Sequence, residues 1–186
     1  MDQERDRCGW ANSAPEYVVY HDEEWGAPLR GDDALFERVC LEAFQSGLSW
    51  ITILRKRPAF RAAFAGFAID AVAAFTADDE ARLMADAGIV RNRAKISAAV
   101  RNARAALDLP EGLTDLLWSF APDGARARPA TLADVPATSP ESTAMAKELK
   151  RRGFVFVGPT TAYALMQATG MVDDHVVSCF RAQPGR

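Results

Sequence analysis

Apolar positions along the 186-residue chain return every three or four residues almost throughout, the period of helices with one buried face. Asp32 and Asp33 can cap a helix that turns Leu35, Phe36, Val39 and Phe44 inward, with Gly47 ending it. Pro58 suits the first turn of a short helix through Phe64, and Thr76 with Asp79 reads as a capping box opening a helix that stops near Gly88. A longer helix is expected from about Asn92 to Leu107, with Ile96, Val100 and Ala103 on one face. Ser139-Pro140 reads as cap and first turn of another, closed by Gly153; Pro159 opens one through Ala168, closed by Gly170. Residues 122–138, rich in Pro, Ala and Asp, read as a loop. Phe154-Val155-Phe156-Val157 is too short for a strand and has no partner run of similar character. The expectation is an all-α protein of about eight to ten short helices, in one domain spanning 1–186.

Composition narrows the function classes. A 49% hydrophobic, 25% charged chain of this length can bury a full core without disulfide staples. Its net charge of -3 gives no global argument for nucleic-acid binding, so any polyanion site has to be local. No stretch is apolar long enough to cross a membrane, and the opening Met1-Asp2-Gln3-Glu4-Arg5-Asp6-Arg7 is too polar for a signal peptide. Three widely spaced cysteines argue for a reducing cytoplasm, and nothing suggests an obligate dimer, so a monomer is expected.

The candidate chemistry starts from the two histidines of the chain, each with a cysteine at a useful distance. His175 and Cys179 would share one face of a helix, while Cys8 and His21 lie in a loop-like segment rich in Gly and Trp. Together they make a Cys2His2 set, which suits zinc better than magnesium or calcium, and four protein ligands leave no open position for catalysis. Spacing alone permits this site and equally permits a cysteine buried as a small hydrophobe, since the pairs are far apart and no C-x-x-C knuckle is present.

Longer blocks change the odds. Cys8-Gly9-Trp10 is followed by Tyr20-His21-Asp22-Glu23-Glu24-Trp25-Gly26 and by Leu41-Glu42-Ala43-Phe44-Gln45-Ser46-Gly47-Leu48-Ser49-Trp50-Ile51. Arg152-Gly153-Phe154-Val155-Phe156-Val157-Gly158-Pro159-Thr160 and Val172-Asp173-Asp174-His175-Val176-Val177-Ser178-Cys179 stand near the other end. In this order they resemble the bacterial 3-methyladenine DNA glycosylase I family of the helix-hairpin-helix superfamily, over roughly Arg7 to Cys179. The resemblance implies one structural zinc ion on Cys8, His21, His175 and Cys179, joining the N- and C-terminal segments of a helix-hairpin-helix glycosylase fold. Cys40, without a partner histidine, is read as core.

The implied activity is hydrolysis of the bond between 3-methyladenine and deoxyribose in double-stranded alkylated DNA, with the base flipped out of the stack. Methylation at N3 makes the base cationic and a good leaving group, for which an aromatic pocket with a carboxylate is an apt receptor. Glu42 matches the family's pocket carboxylate, expected to accept hydrogen bonds from the base's amine edge and to offset its charge. Trp50 matches its stacking tryptophan; Tyr17, Tyr20 and Trp10 would line the pocket, and Trp25 is read as core packing. DNA is expected to meet the turn Phe156-Val157-Gly158 and the helix start at Pro159 and Thr160, whose backbone N–H groups can bind a phosphate. Lys150, Arg151 and Arg152 precede the turn and can add Coulomb attraction, although such charge also suits the end of the preceding helix. No Lys follows the hairpin, which argues for a monofunctional enzyme without a Schiff-base step. Asp173 falls where superfamily relatives carry a catalytic aspartate, and the competing reading, preferred here, makes it the cap of the helix bearing His175. Two other classes compete: a nucleic-acid-binding regulator without catalysis, and a zinc hydrolase.

Overall fold

The computed structural model describes residues 5–124 and 126–182, so the first four residues of the polar opening stretch and both extremes of the 1–186 domain lie outside it. Among the described residues there are nine α-helices, three short 3-10 turns and no strand, as the periodicity requires. In chain order they are α1 (Pro15–Glu23), α2 (Asp32–Gln45), α3 (Trp50–Ala63), α4 (Ile69–Ala73), α5 (Ala77–Ala85), α6 (Arg93–Leu107), α7 (Gly112–Trp118), α8 (Pro140–Arg151) and α9 (Pro159–Ala168). Among the described residues no helix is long and apolar enough to cross a membrane.

Helix α2 is the hub. It buries residues on every side, from Leu35 through Phe44, and touches α3, α4, α6, α7 and α9. Between Leu35 and Phe44 only Glu37 keeps a partly open side chain, so Glu42, on a packed face, is sealed in by the helices around it. The two aspartates at its start do not cap it. Asp32 accepts from the backbone N–H groups of Leu113 and Thr114, and Asp33 from that of Ile69. They satisfy the first turns of α7 and α4 instead, because Gly31, not an aspartate, occupies the cap position of α2.

Pro58 lies inside α3 rather than at its start. The helix begins at Trp50, where the hydroxyl of Tyr17 accepts from the N–H of Ile51 at 2.9 Å and so does the work of a missing cap. A cap from another helix cannot be read from local sequence. The N-terminal segment is also less irregular than expected, since α1 carries Tyr17, Tyr20 and His21. The capping boxes at Thr76 and Ser139 and the Asn92 cap of α6 are all formed.

Helices α8 and α9 pack together across the turn 152–158. Gly153, at φ 96°, ends α8 with paired bonds from its own N–H to Lys150 and from Phe154 to Leu149, a closure that needs a left-handed residue. The turn then puts Phe156 at φ 60° and leaves it 46% exposed, both uncommon for a large apolar residue. What holds it is α6: the buried amide of Asn102 accepts from Val155 N–H at 2.8 Å and donates to Val155 carbonyl at 3.0 Å. Arg101 adds a bond to the Gly153 carbonyl. Asn102→Ala is expected to cost about 2–3 kcal/mol in denaturant unfolding, since it strands two half-buried backbone groups. It should weaken duplex DNA binding as well, if that turn docks DNA.

Candidate functional site

A cavity of about 640 Å³ opens between α1, α2, the start of α3 and α9, within the usual range for a small-molecule pocket. Trp10, Tyr17, Tyr20, Trp25 and Trp50 give it aromatic walls, with Glu42 and Gln45 from α2 and Gln167 and Asp174 from the C-terminal side. Every pocket residue expected from the sequence is on this wall. Trp25, expected as core, does both jobs: it lines the cavity and packs edge-on against His175 at 4.6 Å. The loop 122–138 also contributes, through Leu132 and Val135, after a capping box at Thr131 and Asp134 fixes its path.

The aromatic walls brace one another. Trp10 meets Tyr17 edge-on at 5.6 Å, and Tyr20 lies tilted 5.6 Å from Trp50. Tyr20 is nearly sealed, and burial pushes its hydroxyl well above the usual tyrosine range. Glu42 is 6% exposed; burial raises its carboxyl from the usual 4.5 to about 8, against the partial pull of the Arg38 charge. Arg38 helps little because it is already engaged. It donates to Glu24, which also takes a two-pronged bond from Arg57, and these partners hold Glu24 down at about 2 despite its burial. The pocket acid therefore keeps its proton near neutral pH until something cationic arrives.

Behind the aromatic wall, Cys8, His21 and Cys179 place their ligand atoms within 4.8 Å of one another, and all three are buried. This group could hold a metal ion. His21 Nε2 lies 3.3 Å from Cys179 Sγ, while its Nδ1 meets Asp22 at 2.9 Å. His175 repeats the pattern: its Nδ1 meets Asp173 at 2.9 Å, and its buried Nε2 has no hydrogen-bond partner among the described residues. The two imidazole rings are 5.1 Å apart, edge to face. A carboxylate on one ring nitrogen leaves the other free as a metal ligand and fixes the ring's direction. Burial, with Cys179 nearby, pushes the Cys8 thiol up to about 12, so this sulfur stays protonated unless a cation takes the proton's place. Gly26, at φ 77°, has no side chain to spare here: a Cβ would stand 2.6 Å from the His175 ring.

Two expectations about this region need correction. His175 and Cys179 do not lie on a helix, and the chain after Val172 runs as loop and turn, with Cys179 N–H bonded to Val176. Asp173 therefore caps no helix. It is exposed, accepts from both the N–H and Nδ1 of His175, pairs with Arg128 at 2.8 Å, and does not line the pocket. The pocket acid on this segment is its neighbour Asp174. Sequence reasoning passed over Asp174 in favour of Asp173, and only the turn after Val172 separates the two faces.

The expected DNA-docking turn is on the surface. Phe156, Gly158, Pro159 and Thr160 are exposed, Val157 is half-buried, and no side chain caps the start of α9. The basic run before it is less available than expected. Arg151 is paired with Glu148, and Arg152 with Glu148 and Glu111, so these two charges serve the end of α8.

Residues 10–182 match the family model for methyladenine glycosylase. The chain is 48% identical over 178 residues to DNA-3-methyladenine glycosylase 1 of Escherichia coli (strain K12), covering 94% of this chain and 95% of that protein. It is 44% identical over 185 residues to the DNA-3-methyladenine glycosylase of Haemophilus influenzae, covering 93% and 96%. Among solved structures it is similar to the Staphylococcus aureus 3-methyladenine DNA glycosylase I described in terms of 3-methyladenine recognition. That pair has a TM-score of 0.91 and 33% identity, and covers 99% of this chain and all of the other.

Proposed function

Because the chain belongs to the methyladenine glycosylase family, we propose that it excises 3-methyladenine from alkylated double-stranded DNA as a monofunctional glycosylase in base excision repair. The observation that carries the reading is a buried carboxyl on the wall of an aromatic cavity, where Glu42 lines the same space as Tyr17, Tyr20 and Trp50. A pocket that recognises only shape has no use for a buried acid; one that takes a cationic base does. A non-catalytic binding module gains nothing from it.

In this reading the base enters between the aromatic walls, its positive charge favours the ionised form of Glu42, whose proton leaves to solvent, and the carboxylate then accepts from the amine edge. The bond from C1′ to the base breaks with its electron pair going to the base, which leaves neutral. Water adds at C1′, its proton leaving to solvent. Helices α8 and α9 with turn 152–158 serve as the hairpin on the DNA backbone, with N–H groups at the α9 start taking a phosphate. Cys8, His21, His175 and Cys179 would hold one zinc ion, which supplies a cross-link between the chain's two ends and no open coordination position. The orphaned His175 Nε2 and the thiol pair fit that demand. We infer that the protein works as a monomer in the cytoplasm.

The direct test is release of free 3-methyladenine from duplex DNA methylated at purine N3, with N7-methylated duplex as comparison. Base release from the N3 substrate without strand scission is the expected result. No release would sink the reading, and strand cleavage coupled to release would sink its monofunctional part.

A further inference from the structure

We propose that Asp174 is a second catalytic carboxylate of this pocket, facing the sugar side of the flipped nucleotide while Glu42 faces the base. The inference rests on the glycosylase reading above and extends it to a residue that reading does not use.

Asp174 is 7% exposed and lines the cavity. Its position is enforced by α9: the Tyr163 hydroxyl donates to its Oδ2 at 2.6 Å and the Gln167 amide donates to the same oxygen at 2.9 Å. Those two donors stand four residues apart, on one face of the helix. Both bonds fall on Oδ2, and among the described residues none falls on Oδ1. A buried carboxylate gripped by one oxygen, with the other at a cavity wall, is built to meet something in the cavity.

The assignment to the sugar side follows from the course of α9. Thr160, Ala164 and Gln167 follow one another along one face, and the last two line the pocket. If the strand docks at the α9 start, the nucleotide's backbone reaches the pocket along this face, roughly 12 Å from helix start to Gln167 at 1.5 Å per residue. Tyr17 and Tyr20, Glu42, and Trp50 come to the same cavity from α1, α2 and the start of α3. As the bond from C1′ to the base lengthens, positive charge moves from the base to the sugar. Glu42 loses its partner during that transfer, and a fixed carboxylate on the α9 side gains one. Such an interaction is stronger in the transition state than in the bound substrate, which is the condition for raising the rate and not merely the affinity.

The experiment compares wild type, Asp174→Asn and Tyr163→Phe on methylated duplex DNA under single-turnover conditions at saturating protein. Binding of free 3-methyladenine is followed by tryptophan fluorescence, with melting temperature and metal content recorded for each variant. Asp174→Asn keeps the shape and the acceptor for both bonds, and is expected to slow base release by about 10- to 100-fold with free-base affinity within about twofold of wild type. Tyr163→Phe keeps the charge and loosens its position, with an expected slowing of about 3- to 10-fold. A folded, metal-loaded Asp174→Asn variant with an unchanged rate overturns the proposal. So does one whose rate and free-base affinity fall together, since that makes Asp174 a base contact. Should Asp174→Asn fail to melt cooperatively, Tyr163→Phe with Gln167→Leu decides, and an unchanged rate there overturns it. Inactive wild type is a different outcome: it removes the glycosylase reading itself.

Discussion

Glu42→Gln is expected to lower kcat/KM for base release by about 10²-fold, through weaker capture of the cationic base, while making the protein more stable. Both effects come from one carboxyl. Burial raises it in the folded chain from the usual 4.5 to about 8. The unfolded chain releases this proton near 4.5 and the folded chain holds it, so folding near neutral pH must take a proton up. The cost begins as pH rises past the unfolded value, grows until about 8, and is constant above that. At pH 7 it is on the order of 3 kcal/mol, and glutamine does not incur it. Equilibrium unfolding should therefore show wild type losing stability between pH 5 and 8 relative to the variant. Activity should run the other way. A cationic base is met best by the ionised acid, so kcat/KM of wild type should rise with pH towards a plateau above about 8. The variant's profile should be flat. A glutamine variant with wild-type rates would take Glu42 out of the chemistry.

If Cys8, His21, His175 and Cys179 hold the proposed zinc, removing it is expected to have the second large effect, on stability first. Cys8→Ser, or a strong chelator, should lower metal content below one zinc per chain and cost on the order of 4 kcal/mol, as cross-links that close long loops do. The ligand atoms join segments at both ends of the chain, and His21 and Cys179 are 158 residues apart in sequence. The same side chains are stitched into the pocket wall: Trp10 and Trp25 pack on the His21 and His175 rings and also line the cavity. Activity should fall with the folded fraction, read by melting temperature and metal analysis on the same samples. A Cys8→Ser protein that stays folded and metal-loaded yet releases no base would place the ion in the reaction.

The helical architecture was readable because each helix announces itself locally. The capping residues Thr76, Asn92 and Ser139 and the closing Gly153 act within one turn of where they stand. What failed was any inference about partners across the fold. Asp32 and Asp33 look like caps for their own helix, yet their carboxylates reach α7 and α4. Tyr17 caps α3 from α1, which moved that helix start eight residues ahead of Pro58. The pocket residues Tyr17, Tyr20, Glu42 and Trp50 were legible only as a family pattern, because burial of Glu42 depends on five surrounding helices. Asp174 was missed because adjacent residues in a loop point to different places, and no periodicity says which of two aspartates faces inward.

The joining of the chain's two ends also sets a timetable. The pocket draws its parts from Trp10 to Asp174, and the cluster behind it needs Cys179. A chain leaving the ribosome can form the α2 to α7 helices early, since their contacts are comparatively local. Its Trp10 and Trp25 rings stay without their C-terminal partners, His175 and Val176 among them, until the last segment emerges and folds back over them. A protein truncated at about residue 170 would thus keep most of its hydrophobic core and still present a sticky aromatic surface. The pocket wall is completed last, when Asp174 arrives and takes its bonds from Tyr163 and Gln167 on α9.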